Sequence, residues 1–296
     1  MPGFGLEPAS QLARRDPMKI GFIGTGSMGS LLVDSFIRSG AVEASDVVVA
    51  NRTFHKAERL AAQHPGITAV PSSREAAQRS DCLFLCVKPS EFKSVLQEIQ
   101  PSVRSDQVVV SITSAVLISH LEDQLPCRIA KIIPSITNGV LSGASLCMFG
   151  SRMTVADCCY LEGILSRISE PLLIDEQYTR IVSDLSSCGP AFISFLLQRL
   201  IDAAVEMTGI DPDEAVAISS AMLLGTGKLL TEGGMTPDEL IRRVSVPGGI
   251  TQQGLQLLRQ ETDGMFQKLI TITHDKFRED LEKVEASLYG EEVNGP

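Results

Sequence analysis

Gly24-Thr25-Gly26-Ser27-Met28-Gly29 sets three glycines in a G-x-G-x-x-G spacing, directly after the apolar run Ile20-Gly21-Phe22-Ile23 and directly before a helical stretch, Ser30 to Ile37. Each glycine answers a different demand. Gly24 permits a tight turn, Gly26 lets the backbone approach a diphosphate, and Gly29 lets the helix pack closely on the strand. The helix start also offers free N–H groups and the positive end of its dipole to an anion. With strand, loop and helix in that order, a dinucleotide site is a stronger reading than a glycine-rich turn of another α/β protein.

A carboxylate about 20 residues further on would hold the adenosine ribose hydroxyls of NAD(H). This chain has Asn51-Arg52-Thr53 there. Arg52 supplies a planar fork of donors suited to a 2′-phosphate, and Asn51 and Thr53 add neutral donors without the repulsion of an Asp. NADP(H) is therefore the expected cofactor, with NAD(H) also open; Arg52 reads alternatively as a solvated residue at a helix start. Val87-Lys88-Pro89 ends a further strand, Cys82 to Val87, at the carboxyl edge of the sheet, where such folds bind ligands. Its backbone is expected near the nicotinamide ribose, although Lys88 reads equally well as a surface lysine.

These residues need a scaffold. Between Lys19 and Ile133, short apolar runs (Ile20–Ile23, Val47–Ala50, Ile67–Val70, Cys82–Val87, Val108–Ile112, Ile129–Ile133) alternate with amphipathic stretches. Such alternation demands crossovers and gives a parallel sheet covered on both faces. Gly143–Gly150 and Pro171–Ile174 are candidate edge strands, with a helix from Thr154 to Ser169 between them. From Gln177 onward the strand signal stops, and helix starts stand at Gly189-Pro190, Asp211-Pro212-Asp213-Glu214 and Thr236-Pro237-Asp238-Glu239. The expected fold class is α/β: a Rossmann domain, doubly wound with a mainly parallel sheet, over 18–176, then an all-helical domain over 177–290. A flexible leader over 1–17 and a frayed tail over 291–296 complete the reading, with Glu279 to Glu285 a charged, solvated helix face and fraying from Tyr289.

The 296 residues, 44% hydrophobic and 21% charged, exceed one common domain and suffice for a sizeable core. A net charge of −10 would repel a polyanion, so nucleic acid is not an expected partner. The longer apolar runs are interrupted by Ser, Gly and Lys, so no membrane association is expected. Seven cysteines without a CxxC pair read as reduced thiols of a cytoplasmic protein. His55, His64, His120 and His274 never fall at metal-ligand spacing, and no metal site is expected.

Three further segments complete a pattern: Ser187-Cys188-Gly189-Pro190-Ala191-Phe192, Leu224-Gly225-Thr226-Gly227-Lys228, and Val246-Pro247-Gly248-Gly249-Ile250-Thr251 followed by Gly254-Leu255. Taken in order with Gly24–Gly29 and Val87-Lys88-Pro89, they resemble the pyrroline-5-carboxylate reductase family. The resemblance implies that the helical domain is a dimerisation and substrate domain, giving a homodimer or a ring of dimers. It also implies reduction of a small imino acid, 1-pyrroline-5-carboxylate or a related ring, to L-proline with NAD(P)H. A protonated imine already accepts hydride, so positioning should supply most of the catalysis. Pro247, Gly248 and Gly249 suit the substrate carboxylate, because two glycines before a helical stretch leave backbone N–H groups at its start. Ile250 and Thr251 line the same segment. The resemblance implies that Thr251 lies close to the imine nitrogen, which makes it the candidate catalytic residue; its local sequence fits a helix cap equally well. Ser187 is implied at the substrate too, and Gly189-Pro190 also reads as a helix start only.

The chain departs from the family pattern near the substrate. Arg-x-Met-Pro-Asn is replaced by Lys131-Ile132-Ile133-Pro134-Ser135, which exchanges a fork donor and an amide for a point charge and a hydroxyl. Ser-Pro-Gly-Gly-Thr-Thr is replaced by Val246 to Thr251, which loses two hydroxyls. A usual Glu falls at Gln198, and a usual Lys-Asp at Ile241-Arg242. An intact cofactor loop with an altered substrate segment resembles the ComER-like late-competence paralogues of the family, and opens a second reading: a nucleotide-binding regulatory protein with lost or altered catalysis. A β-hydroxyacid dehydrogenase ranks last, because no Lys stands between Lys131 and Lys228 to serve as its helix lysine.

Overall fold

The computed structural model describes residues 18–290; the expected leader and tail lie outside the described residues. The sheet region runs β1 (Ile20–Ile23), α1 (Ser27–Arg38), β2 (Val47–Ala50), α2 (Phe54–Gln63), β3 (Thr68–Val70), α3 (Ser73–Arg79), β4 (Cys82–Leu85), α4 (Phe92–Ile99), β5 (Val108–Ser111), α5 (Ile118–Gln124) and β6 (Arg128–Ile133). It continues with β7 (Ala144–Phe149), α6 (Val155–Leu165), β8 (Glu170–Leu173) and α7 (Thr179–Ser186). The helical region comprises α8 (Gly189–Thr208), α9 (Pro212–Thr231), α10 (Pro237–Val244) and α11 (Ile250–Glu261), and α12 (Met265–Tyr289) is the last helix among the described residues.

All eight expected strands form one sheet in the order β3-β2-β1-β4-β5-β6-β7-β8, parallel except for the β6–β7 pair. Four-residue runs of Val, Ile, Leu, Phe and Cys survive as strands because both faces are covered, so every side chain finds apolar company. On one face Phe22, Phe84 and Phe36 pack together, with ring centroids 5.0 Å apart for Phe22–Phe84 and 5.9 Å for Phe36–Phe84. Leu32 and Val33 of α1, Leu60 of α2 and Leu161 of α6 close that layer. On the other face, Ala77 of α3, Phe92 and Leu96 of α4 and Leu121 of α5 cover Leu83, Leu85 and Val109. In register, Ile23 stands level with Ala50 on one side and Leu85 on the other. The loops after β1, β2 and β4 therefore issue side by side, at the point where the strand order reverses direction.

Contacts divide the chain after Ser187. Among the described residues, 18–187 and 276–290 form one compact unit, and Cys188–Asp275 the second. Against the expected boundary at 176, α7 and the end of α12 group with the sheet. The cause is burial: Val182, Val284 and Leu288 pack into the sheet's apolar layer, and Thr179 reaches Met148. Val284, 2% exposed, interrupts the expected solvated face, and Glu285 faces His120 at 3.5 Å. Tyr289 is not frayed: it ends α12, its hydroxyl donates to Asp123 over 2.8 Å, and its ring lies 5.8 Å from that of His120.

In the helical unit the Pro-led starts behave as expected. Asp211 accepts from the N–H groups of Asp213 and Glu214, and Thr236 forms a reciprocal cap with Glu239. This unit has little core of its own. Among its described residues only Ile201 and Ala215 are buried apolar side chains, while Phe195, Leu200, Met207 and Leu224 are at least 60% exposed. The run Glu176–Thr208 is even long and apolar enough, by length and composition alone, to cross a membrane.

Two outcomes test this packing. Phe84→Ala removes a fully buried ring from the three-ring cluster and should cost about 3–5 kcal/mol in urea unfolding; a loss below about 1 kcal/mol would contradict the packing. His120 is buried, its Nδ1 accepts from the Leu117 N–H, and Glu285, Glu176, Lys131 and Tyr289 surround it. Burial pushes its pKa below the ordinary 6.5 against the pull of Glu285. The unfolded chain then takes up this proton first on acidification, so the stability is present above 6.5 and is lost as pH falls through that value. His120→Gln should flatten the decline that sets in below about pH 6.5 by up to about 1.4 kcal/mol per unit. Equal slopes for both proteins would refute the assignment.

Candidate functional site

The loop after β1 is shaped by what its glycines meet. Gly24 has φ +99°, and a Cβ there would strike the carbonyl of Cys86; a Cβ on Gly29 would strike the carbonyl of Gly24. Gly26 is different: nothing lies within 4 Å of where its Cβ would be. Two glycines thus close the loop onto the fold, and the third leaves open space in front of it. Gly24 donates to the Ala50 carbonyl at 2.8 Å, and the Thr25 N–H donates to Asn51 Oδ1 at 3.1 Å, tying the loop to the end of β2. Gly26 caps α1 without any side-chain hydrogen bond, so the first N–H groups of Ser27, Met28 and Gly29 stay at an open helix start.

A groove of about 510 Å³ runs in front of this loop. Of the expected cofactor residues, Gly24, Gly26, Asn51, Arg52, Thr53, Val87 and Lys88 line it together. Thr25, Ser27, Met28, Gly29 and Pro89 support the loops without lining it. The Thr25 hydroxyl is buried without a partner. The space at Gly26, the uncapped helix and the cations Arg52 and Lys56 together fit a diphosphate with a further anionic group beyond it. Asn51 serves the loop: its Oδ1 holds Thr25 and its Nδ2 donates to the Thr53 carbonyl. Arg52 is highly exposed yet ion-paired, with Nη1 2.6 Å from Glu91 Oε1. The Lys88 side chain is exposed, and its backbone N–H donates to Glu91 Oε2.

Lys56, Ser72, Ser73, Glu91 and Glu98 also line the groove and escaped the sequence reading. Two of them carried a signal. Ser72-Ser73-Arg74-Glu75 is a capping pattern, and Ser72 accepts from the Glu75 N–H at 3.1 Å. Pro89-Ser90-Glu91 opens with Pro at a first helical position and ends on the carboxylate that turns back to Lys88.

The expected substrate residues fall in different units. Ser187 caps the C-terminal end of α7 in the sheet unit and donates its hydroxyl to the Ser183 carbonyl. Pro247 to Thr251 lead into α11 in the helical unit, where Gly248 takes φ +76°. The cap is Gly249, so Thr251 stands inside the first turn and is not the helix cap. The glycine donors are partly spent: the Gly248 N–H goes to Gln252 Oε1 at 2.6 Å and the Gly249 N–H to the Val246 carbonyl. The N–H groups of Ile250, Thr251 and Gln252 remain at the helix start. Val246 and Ile250, standing where hydroxyls are lost, are 61% and 91% exposed.

Lys131, read as a point charge in place of a fork donor, is held in an internal ion pair. It is fully buried in β6, and its Nζ donates to the Ser114 carbonyl at 3.0 Å and to Glu176 Oε1 at 2.7 Å. Burial lowers its pKa against the pull of Glu176. The same Glu176 oxygen accepts from the Ile118 N–H, so one ion pair ties β6 to both ends of the loop after β5. Ser135 is buried as well, donating to the Ser186 carbonyl. All seven cysteines are free thiols, and no cluster of metal-ligating residues occurs among the described residues.

Comparison with known proteins places this geometry. Residues 176–280 match the family described as pyrroline-5-carboxylate reductase dimerisation, and residues 19–115 match NADP oxidoreductase coenzyme F420-dependent. The chain is 39% identical over 272 residues to ComE operon protein 4 of Bacillus subtilis, covering 92% of this chain and 100% of that one. It is 32% identical over 244 residues to the pyrroline-5-carboxylate reductase of Methanosarcina acetivorans, covering 82% and 90%. The crystal structure of Plasmodium falciparum pyrroline carboxylate reductase with NADP bound shares the fold, with a TM-score of 0.77 at 23% identity over 91% of this chain and 98% of that one. A sheet unit built around an open glycine loop, a helical unit with its apolar faces uncovered, and identity sustained along nearly the whole length lead to one conclusion: the chain belongs to the pyrroline-5-carboxylate reductase family.

Proposed function

We propose that the chain binds NADP(H), and less selectively NAD(H), in the groove between the β1, β2 and β4 loops, and reduces a cyclic imino acid of the 1-pyrroline-5-carboxylate class, giving L-proline from that substrate. The observation that carries the reading is the space before Gly26 at an uncapped helix start, with Arg52 on the same groove. The bound nicotinamide supplies a hydride for the C=N carbon. The chain's own contribution is placement: the loop N–H groups take the diphosphate, and Arg52 and Lys56 face the adenosine end. At α11, the N–H groups of Ile250, Thr251 and Gln252 take the substrate carboxylate, and the Thr251 hydroxyl is free to meet the imine nitrogen. A substrate that arrives protonated needs no proton from a side chain.

The uncovered apolar faces of the helical unit fit a homodimer or a ring of dimers better than a bilayer, because the family similarity over 176–280 is to a dimerisation region. Free thiols fit a reducing cytoplasm.

A second reading rests on Val246 and Ile250: apolar, exposed side chains replace the hydroxyls that would support a carboxylate, leaving a nucleotide-binding paralogue with altered or lost turnover and a regulatory role. Purified protein given NADPH and pyrroline-5-carboxylate or piperideine carboxylates should lose NADPH absorbance. NADPH binding without any loss would favour the second reading. In a reductase, Val246→Ser with Ile250→Thr returns two donors and should raise kcat/KM about tenfold or more. No gain would sink the carboxylate argument for α11.

A further inference from the structure

The groove carries an anion of its own. Glu91 ends the turn Pro89–Glu91 between β4 and α4; its Oε1 lies 2.6 Å from Arg52 Nη1 and its Oε2 accepts the Lys88 N–H at 3.2 Å. The two side chains are held unequally: that of Arg52 is 85% exposed and that of Glu91 27%. The carboxylate is therefore the fixed member and the guanidinium the movable one. Glu98, the other carboxylate of the groove, is engaged elsewhere, accepting the Arg74 N–H.

We propose that Glu91 is a specificity-determining residue, an internal counter-ion that a nucleotide 2′-phosphate must displace from Arg52. The inference rests on the nucleotide reading of the groove and deepens it. A phosphomonoester carries about −1.5 to −2 charges near pH 7 and competes with the carboxylate for the same fork of donors. A ribose hydroxyl carries none and leaves the Arg52–Glu91 pair intact. Glu91 thus weakens NADP(H) selectively and keeps NAD(H) in contention, a balance that Arg52 alone would tip fully toward the phosphate.

Glu91→Gln is the matching change, because the amide oxygen still accepts from Lys88 while the charge is gone. Titration calorimetry with NADPH and with NADH, on wild type, Glu91→Gln, Arg52→Gln and the double variant, reads the effect as binding. Glu91→Gln should tighten NADPH about fivefold and change NADH by less than about twofold. In the Arg52→Gln background most of that gain should vanish. An unchanged ratio of the two affinities, a shift toward NADH, or an equal gain without Arg52 would each overturn the inference while leaving the groove a nucleotide site. Wild-type protein that binds neither nucleotide would remove the site reading and this inference with it.

Discussion

The closeness of β1 to the ends of its two neighbours governs the rest of this molecule. Where the chain leaves β1, the carbonyl of Cys86 and the carbonyl of Ala50 flank Gly24, one too near for any side chain and the other accepting its N–H. The backbone can make that turn only with positive φ and no Cβ. Having made it, the chain has to start α1 at once, with its first N–H groups bare and directed to the one place where the loop leaves room. Apolar strands buried on both faces hold the three loops level, so the stiffness of the sheet is passed to the groove.

Much of this was legible in the residues. Short apolar runs with turn residues between them marked every strand, Pro with an acidic first turn marked α9 and α10, and the glycine spacing marked the loop. Local rules carry that information because each signal sits within a few residues of its effect. What failed to show was pairing at a distance. Lys131 was read as a point charge exchanged for a fork donor near the substrate, and its pairing did not show because its partner Glu176 lies 45 residues on. Arg52 looked free because Glu91 comes from the loop of another strand. The return of α12 to the sheet was hidden under the charges of Glu279 to Glu285, among which one valine decides the packing. Around Gly248 the signal was read too generously, since Gln252, four residues on, takes a donor that two glycines seemed to leave open.

The two units spend their apolar residues differently. In the sheet unit most are inside, in one layer on each face of the sheet, and a buried ion pair is tolerated because Lys131 has both a carboxylate and a carbonyl to satisfy it. In the helical unit α9 and α10 carry side-chain caps while the interior holds few buried apolar side chains, so these helices are well specified one by one and lack a common core. A partner that covered those faces would add to the unit's stability in proportion to its affinity.

The end of α12 gives this arrangement a topological meaning. Because Val284, Leu288 and Tyr289 lie on the sheet unit, the helices from Cys188 to Asp275 are an insertion with both ends anchored in the same body. The final turns of α12 are thus part of the nucleotide-binding body, so cutting the protein after its Rossmann-like half would remove pieces of that half's own interior.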